Sequence, residues 1–255
     1  MVFMKFITDY PALYINEIKS FVISDLHIGV EYELGKSGIR IHKQIEKFSE
    51  TINRLAELTN ASQLIILGDV KHKVPGMTIQ EIKDIPKFFE HLKTVFKKVI
   101  VAQGNHDADL HYILPDGVKL YSSKGFKIGK YGFFHGHAWP SKKLMQCDYL
   151  FMGHIQPSVQ FKDKLGYRSR QQVWLKGKLN SEVIKKKYKI ISTGKLNIII
   201  LPAFNSLLGS LNIMEKGDLS GPLLTSKAMN LDEMRTYLLD GTYLGILKHL
   251  KKKMR

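Results

Sequence analysis

The sequence is poor in cysteine, which excludes a fold held together by internal disulfides. The chain has 255 residues and a single cysteine, Cys147, so it contains no second thiol to pair with. Disulfides are rare in proteins that stay in reducing compartments, and we therefore expect a cytoplasmic location. Cys147 shortly precedes the apolar residues 149–152. This context favours a small buried core residue over a nucleophile.

Long apolar runs are also missing. A helix that crosses a bilayer needs about 20 consecutive apolar residues, whereas residues 198–201 stop at Pro202. Residues 1–9 contain one lysine and no small-residue cleavage site, so we expect neither a secretory signal nor a membrane partner. With 44% hydrophobic residues, the chain can bury the core of one large α/β domain. No serine or cysteine lies in a nucleophile-elbow pattern.

Acidic residues are few, and this leaves a strong positive charge. The chain has 23 Asp and Glu against 39 Lys and Arg, for a formal net charge of +16. Such a charge attracts polyanions and is typical of proteins that bind nucleic acids. However, a high content of lysine and isoleucine is also found in hyperthermophile proteins. The charge therefore leaves both explanations open.

Apolar segments and periodic helices alternate along the first 156 residues, which indicates an α/β fold. Five short apolar segments are typical of buried strands: residues 21–24, 64–67, 99–102, 131–134 and 149–152. After the first of them, apolar residues recur at steps of three and four, as in an amphipathic helix: Ile41, Ile45, Phe48, Ile52 and Leu55. A second helical stretch covers residues 79–96, and we expect Pro86 to break or kink it.

The last hundred residues show weaker patterns. We expect residues 161–190, which are basic, to form a flap or hairpin over a cleft. Residues 189–192 and 196–201 are predicted to pair as strands. From Met229 onward the spacing of apolar residues predicts a C-terminal helix interrupted at Gly241.

Polar residues follow each of the five predicted strands. The groups are Asp25-x-His27, Gly68-Asp69, Gly104-Asn105-His106-Asp107, His135-Gly136-His137 and Gly153-His154-x-Gln156. Open α/β sheets bind ligands at the carboxyl ends of their strands. The mixture of carboxylates, imidazoles and amides is what a two-metal hydrolase needs. Alternation along a strand places residues i and i+2 on one side, so Asp25 and His27 can reach the same ion.

These five groups, in this order, resemble the signature of the calcineurin-like metallophosphoesterases. The motifs cover most of residues 20–156. Residues 25–29 and 201–204 further resemble an archaeal and bacterial branch related to the nuclease subunit of the double-strand-break repair complex. The resemblance implies a four-layer sandwich, in which two mixed β-sheets pack face to face with helices outside. We expect residues 1–255 to form a single domain.

The resemblance also implies a role for each site residue. Asp25 and His27 would bind the first metal, Asp69 would bridge both metals, and Asn105, His135 and His154 would bind the second. Asn105 and His137 would contact the substrate phosphate, although His137 is equally compatible with a place behind the ligands. His106 would protonate the leaving oxygen and Asp107 would orient His106, although Asp107 also fits a simple turn residue.

The sequence departs from the family pattern at one position. The pattern usually ends Gly-His-x-His, and its last histidine binds the first metal. Here that position is Gln156, whose amide oxygen is a weaker donor than an imidazole. We therefore expect a weaker first site. The remaining histidines match no motif and are interpreted as surface or core residues: His42, His72, His91, His111 and His249.

The predicted function is that of a metal-dependent phosphoesterase, most simply a phosphodiesterase or nuclease that uses a hydroxide activated by two divalent metal ions. Manganese is the first ion to test, with magnesium, iron, zinc and nickel as alternatives. DNA or RNA is the leading substrate. Two other functions stay open: a phosphodiesterase or phosphomonoesterase for small molecules, and a non-catalytic nucleic-acid-binding protein that retains the fold. The sequence leaves the oligomeric state open.

Overall fold

The computed structural model describes residues 4–39, 41–208, 211–215 and 221–253. Within these ranges the chain forms fifteen β-strands and six α-helices. The strands are β1 (Met4–Phe6), β2 (Leu13–Ile15), β3 (Ser20–Ile23), β4 (Gln63–Ile66), β5 (Lys98–Ala102), β6 (Val118–Tyr121), β7 (Phe126–Ile128), β8 (Tyr131–Phe134), β9 (Tyr149–Met152), β10 (Pro157–Lys162), β11 (Arg168–Lys178), β12 (Asn197–Ile200), β13 (Leu211–Asn212), β14 (Arg235–Leu238) and β15 (Tyr243–Ile246). The helices are α1 (Val30–Lys36), α2 (Gln44–Thr59), α3 (Ile79–Val95), α4 (Ser181–Tyr188), α5 (Pro222–Thr225) and α6 (Leu247–Lys253).

The first sheet has the order β1-β2-β3-β4-β5-β6. The strands β3 to β6 are parallel, whereas β1 and β2 are antiparallel additions at one edge. Parallel strands are covered on both faces, and this accounts for their almost unbroken runs of apolar residues. Because β3, β4 and β5 run in one direction, their carboxyl ends meet at one edge of the sheet.

The second sheet is also mixed, with the order β13-β10-β11-β12-β9-β8-β7 and with β14 and β15 attached through β11. Its strands β8, β9 and β12 are parallel and end in register, since Phe134 and Ile200 both pair with Met152. Strand β11 runs antiparallel to β12 and continues the sheet toward β10.

Three apolar layers hold the elements together and confirm the predicted four-layer sandwich. In β3, Phe21 and Ile23 pack with α2 and α3, whereas Val22 faces the other sheet. The middle layer joins Val22 and Ile65 of the first sheet to Phe151 and Trp174 of the second. A third layer lies on the outer face of the second sheet and includes Ile184 of α4. The alternation along each buried strand thus supplies both faces of a sheet.

Three expectations for the helices and the C-terminal region are wrong: a break at Pro86, a strand at residues 189–192 and a long C-terminal helix. Helix α3 runs through Pro86 without a break, whereas a kink there stays a prediction; the carbonyl that loses its partner belongs to Ile82, which is 47% exposed and can bond water. Residues 189–196 form no strand, and β12 instead pairs with β9 and β11. The predicted C-terminal helix is a β14–β15 hairpin followed by α6, because β14 finds a partner strand in β11.

Residues 161–190 comprise the end of β10, the strand β11 and the helix α4. β10 and β11 form an antiparallel hairpin whose last pair is Lys162 and Arg168. The role of this segment over the cleft stays a prediction. Among the described residues, no helix combines the length and the apolar composition that crossing a bilayer requires.

Candidate metal centre

The predicted ligands converge at one edge of the sandwich. Asp25 and Asp69 follow β3 and β4 of the first sheet, whereas His135 and His154 follow β8 and β9 of the second. Two groups of donor atoms form there, each with its members within 4.8 Å of one another: Asp25, His27 and Asp69 in one, and Asp69, His135 and His154 in the other. The two groups share Asp69 and bring together the aspartate and histidine ligands that the family resemblance implies; their metal-binding roles stay predictions.

Asp69 lies at the centre of both groups. Its Oδ2 atom is 3.3 Å from His27 Nε2 and 3.2 Å from His135 Nε2, so one carboxylate oxygen lies between the two groups. Its Oδ1 atom accepts a hydrogen bond of 3.0 Å from the backbone amide of His106. This is the position that a bridging carboxylate requires.

The second group presents a complete set of nitrogen and oxygen donors. His135 Nδ1 donates to the Leu67 carbonyl at 2.6 Å, which directs Nε2 toward Asp69. His154 Nδ1 and Asn105 Oδ1 each lie 3.2 Å from His135 Nε2. Metal-binding histidines usually donate their other ring nitrogen to a carbonyl in this way. The donor set fits a divalent cation.

Gln156 reaches the first group, as expected. Its Nε2 atom lies 3.1 Å from Asp25 Oδ1 and 3.1 Å from His27 Nε2. Half a turn of the amide exchanges Nε2 for Oε1, the atom that can bind a cation. Together, Asp25, His27, Asp69 and Gln156 provide four donors for a cation.

The backbone at the site differs from the one assumed from the sequence. Five predicted ligands have positive φ: Asp25 (56°), His27 (42°), Asp69 (52°), His154 (66°) and Gln156 (48°). Asp25 and His27 therefore share a site because both lie in left-handed turns, and not because they alternate along a strand. Non-glycine residues in this region cost about 1–3 kcal/mol each and cluster at functional sites. Pairing with residues 68–70 stabilises the strained turn, since the His27 amide donates to the Asp69 carbonyl at 2.8 Å.

Two glycines make room for these carboxylates. A Cβ atom at Gly104 would collide with Asp69 Oδ1, and one at Gly153 would lie 2.8 Å from Asp25 Oδ2 and closer still to Ser24. These glycines thus accommodate the side chains of two proposed ligands.

His106 is held by the backbone of a neighbouring loop. Its Nδ1 atom donates to the carbonyl of His72 at 2.6 Å, which leaves Nε2 free to carry a proton. Asp107 differs from the prediction: its carboxylate accepts the backbone amides of Val70 at 2.9 Å and Gly104 at 2.9 Å, and no contact between its side chain and the His106 ring is found in the described residues. Asp107 thus positions His106 only through the loops that carry it.

His72 is the residue that the sequence analysis missed. Its Nδ1 atom lies 3.2 Å from His27 Nδ1, and its Nε2 atom lies 3.4 Å from Glu33 Oε2. The buried carboxylate of Glu81 fixes this loop, because Glu81 Oε1 accepts the backbone amide of His72 at 2.9 Å. His27, His72 and His106 form a third group of close donors. The available signal was its place in the loop after Gly68-Asp69.

The charges of the site are strongly coupled. Burial alone lowers the pKa of His135, but the carboxylates of Asp69 and Asp25 outweigh burial and raise the pKa to about 9. Burial raises the pKa of Asp69, but the charges of His135 and His27 outweigh it, so that the pKa lies well below its usual range. Burial lowers the pKa of His154 to about 4, with the charge of His135 adding to the effect. A cation at the second group must therefore displace a proton from His135 and meets a neutral His154.

His137 is half-buried and lies beside His135 and His154. Its ring centroid is 5.4 Å from that of His135 and 6.0 Å from that of His154. Its buried Nδ1 atom has no hydrogen-bond partner among the described residues. Burial lowers the pKa of His137 to about 4, so the ring is neutral at physiological pH. Its position leaves both predicted roles open.

The substitution Gln156→His should tighten the first site. The change keeps the site charge and replaces an amide oxygen with a stronger imidazole donor, which should be worth about 1–2 kcal/mol in metal affinity. Manganese titrations followed by calorimetry should show two unequal sites in the natural protein and less unequal sites in the variant. Gln171→His, at an exposed residue, is the matched control. Two equal sites that do not respond to Gln156→His would remove Gln156 from the ligands.

Comparison with known proteins agrees with this geometry. Residues 18–221 match the calcineurin-like phosphoesterase family. The chain belongs to this family, and it is accordingly a metal-dependent phosphoesterase. The ligand groups around Asp69 are its candidate sites for divalent cations. No curated protein sequence matches the chain significantly.

Two solved structures are similar to this chain at low sequence identity. The nuclease MPE of Pseudomonas putida is 17% identical with a TM-score of 0.53, and the match covers 92% of this chain and 91% of that protein. The phosphoesterase YfcE of E. coli is 19% identical with a TM-score of 0.41, covering 89% of this chain and 96% of that protein. The first of these similarities shows the fold, and neither determines the substrate.

Proposed function

We propose that this phosphoesterase hydrolyses phosphodiester bonds in nucleic acids, with two divalent cations, manganese first among them, bound at the groups that share Asp69. The observation that carries the proposal is the open rim of the site. The carboxylates of Asp25 and Asp69 are buried, whereas Asn105 is exposed and His106 and His137 are half-buried. A long chain can lie across such a rim, whereas small ligands are usually enclosed. The net charge of +16 favours a polyanion.

The residues divide the chemistry among them. When bound, the cations would supply Lewis acidity and lower the pKa of an attacking water. Asp25 and Asp69 would hold the negative charge that binds them, and Asn105 and His137 would contact an oxygen of the substrate phosphate. His106, with Nδ1 bonded to the His72 carbonyl, presents Nε2 to the leaving oxygen and donates a proton to it.

An activity screen tests the proposal directly. Hydrolysis with manganese should be measured on bis(para-nitrophenyl) phosphate, on para-nitrophenyl phosphate and on a single-stranded DNA, with Asp69→Asn protein as the control for contaminating enzymes. We expect cleavage of the diester and of the DNA. Activity on the monoester alone would favour a small-molecule phosphatase, and DNA binding without any hydrolysis would favour a non-catalytic protein.

A further inference from the structure

The β10–β11 hairpin extends past the edge at which the metal centre lies. Strands β8, β9 and β12 end together there, and β11 reaches the same level at Leu175, which pairs with Ile200. Residues 168–174 of β11 therefore lie beyond that level. At about 3.3 Å per residue, these seven residues carry the hairpin roughly 20 Å past the edge.

The alternation of side chains defines which face of the hairpin looks toward the site. Trp174 packs in the layer between the two sheets, whereas Val173 and Leu175 pack on the outer face of the second sheet. Arg168 is six residues before Trp174, an even number, so both side chains point to the same face of the strand. We call this face, which looks toward the first sheet, the inner face. Phe161 agrees with this assignment, because it pairs with Ser169 and packs against the outer layer.

Contacts at the base of the hairpin place its inner face beside the metal centre. The side chain of Gln172, which is on the same face of β11 as Trp174, donates to the Ala203 carbonyl at 2.7 Å. The next residue, Phe204, donates its amide at 2.7 Å to the carbonyl of Ser24, the neighbour of Asp25. Strand β10 itself begins directly after Gln156. The inner face of the hairpin therefore begins next to the first group of ligands.

Two cations oppose each other on that face. Lys162 and Arg168 are directly opposite in the register, both are exposed, and neither forms an ion pair within the described part of the chain. Like charges in this position destabilise a sheet. The adjacent Asp163 forms no ion pair with either of them within the described residues, and its Oδ1 atom instead accepts the backbone amides of Leu165 and Tyr167 at 2.9 Å each. An external anion would satisfy both cations.

The turn adds apolar surface that a nucleic acid can use. Leu165 is 95% exposed and Tyr167 is 72% exposed, and Lys164 lies beside them in the turn. Exposed aromatic rings flanked by cations are typical of surfaces on which unpaired bases stack while the phosphates are neutralised. The tip therefore combines the two features that a nucleic-acid strand requires.

We propose that the inner face of this hairpin binds the phosphate backbone of a nucleic acid whose scissile phosphate lies at the metal centre; the proposal rests on the function proposed above. Six residues separate Gln156 from Lys162, which corresponds to roughly 20 Å of extended strand. At about 3.4 Å per nucleotide along a helical strand, the hairpin contacts phosphates about six nucleotides from the cleaved bond. The preferred substrate is therefore an oligonucleotide longer than this distance.

The test removes the positive charges of Lys162 and Arg168 together. For Lys162→Ala/Arg168→Ala, kcat/KM on a DNA of about 20 nucleotides should fall about tenfold at low salt, and the slope of log affinity against log salt should decrease by about 1.4 for a single strand. Hydrolysis of bis(para-nitrophenyl) phosphate and of a four-nucleotide DNA should not change. Lys97→Ala/Lys98→Ala is the matched control, because these exposed lysines lie where β5 begins, at the opposite edge.

The outcomes separate this proposal from the function on which it rests. Unchanged kcat/KM on the long DNA, or an equal loss in the Lys97 and Lys98 variant, would overturn the role of the hairpin while the enzyme remains a nuclease. If the double variant also loses activity on bis(para-nitrophenyl) phosphate, Lys162 and Arg168 support the structure of the metal centre and the proposed role in binding nucleic acid is wrong. If the natural protein cleaves neither diester nor DNA, the nuclease function fails. Fluorescence anisotropy with labelled DNA then still tests the hairpin.

Discussion

Replacing Asp69 with asparagine should abolish hydrolysis, lowering kcat by on the order of 10³-fold or more. Asparagine has nearly the same shape and can still accept the backbone amide of His106, which Asp69 accepts at 3.0 Å. What it removes is the charge at Oδ2, which lies between His27 and His135. A bridging carboxylate binds both cations, so a single neutral substitution should weaken both sites at once.

Metal titration and turnover should be measured on the same preparation of Asp69→Asn. Calorimetry should show weaker binding at both sites, and thermal unfolding should show that the variant is folded. Asp116→Asn is a suitable control, because Asp116 is exposed and outside both ligand groups. Full activity in Asp69→Asn would remove this residue from the centre of the mechanism.

Loss of the His106 ring should have the second largest effect, and its size should depend on the leaving group. For His106→Ala we expect a loss on the order of 10²–10⁴ in kcat on DNA, whose alkoxide leaving group needs a proton. The loss should be much smaller on bis(para-nitrophenyl) phosphate, since nitrophenolate leaves without protonation. The backbone amide that contacts Asp69 remains in this variant, so the Asp69 carboxylate keeps this hydrogen-bond partner.

The comparison between leaving groups distinguishes an acid from a structural residue. His111→Ala provides the control, because His111 is exposed and outside the groups of close donors. An equal loss on both substrates would show that His106 supports the site without donating a proton. A positional effect of that kind would point to its contact with the His72 carbonyl at 2.6 Å.

Most of the site could be predicted because its residues follow strands that are easy to recognise. A buried parallel strand needs an unbroken apolar run, and the polar residue that ends the run marks the edge where the ligands meet. Asp25, Asp69, His135 and His154 all have this position, and the structure brings them together. All four lie within residues 18–221, the part of the chain that matches the calcineurin-like phosphoesterase family.

The side-chain partners within the site could not be predicted in the same way. His72 follows no strand directly, and it reaches His27 only because Glu81 of α3 holds its loop in place. Asp107 has backbone amides of two different loops as its partners, and no local pattern encodes such contacts. Positive φ at Asp25 and Asp69 is likewise imposed by the surrounding loops, since neither residue favours it on its own.

The sequence by itself determined the α/β class and the order of the candidate ligands, because apolar period and strand-end chemistry are local properties, and the resemblance carried by those motifs implied the sandwich of two sheets. Only the tertiary structure decided which strands lie beside which. Strand β11 pairs with its hairpin neighbour β10 and with two strands distant in the chain, β12 and β14, and the pairing with β14 turned a predicted C-terminal helix into a hairpin. The same strand carries Arg168 past the catalytic edge, a position that depends on register and therefore on partners that local patterns do not specify.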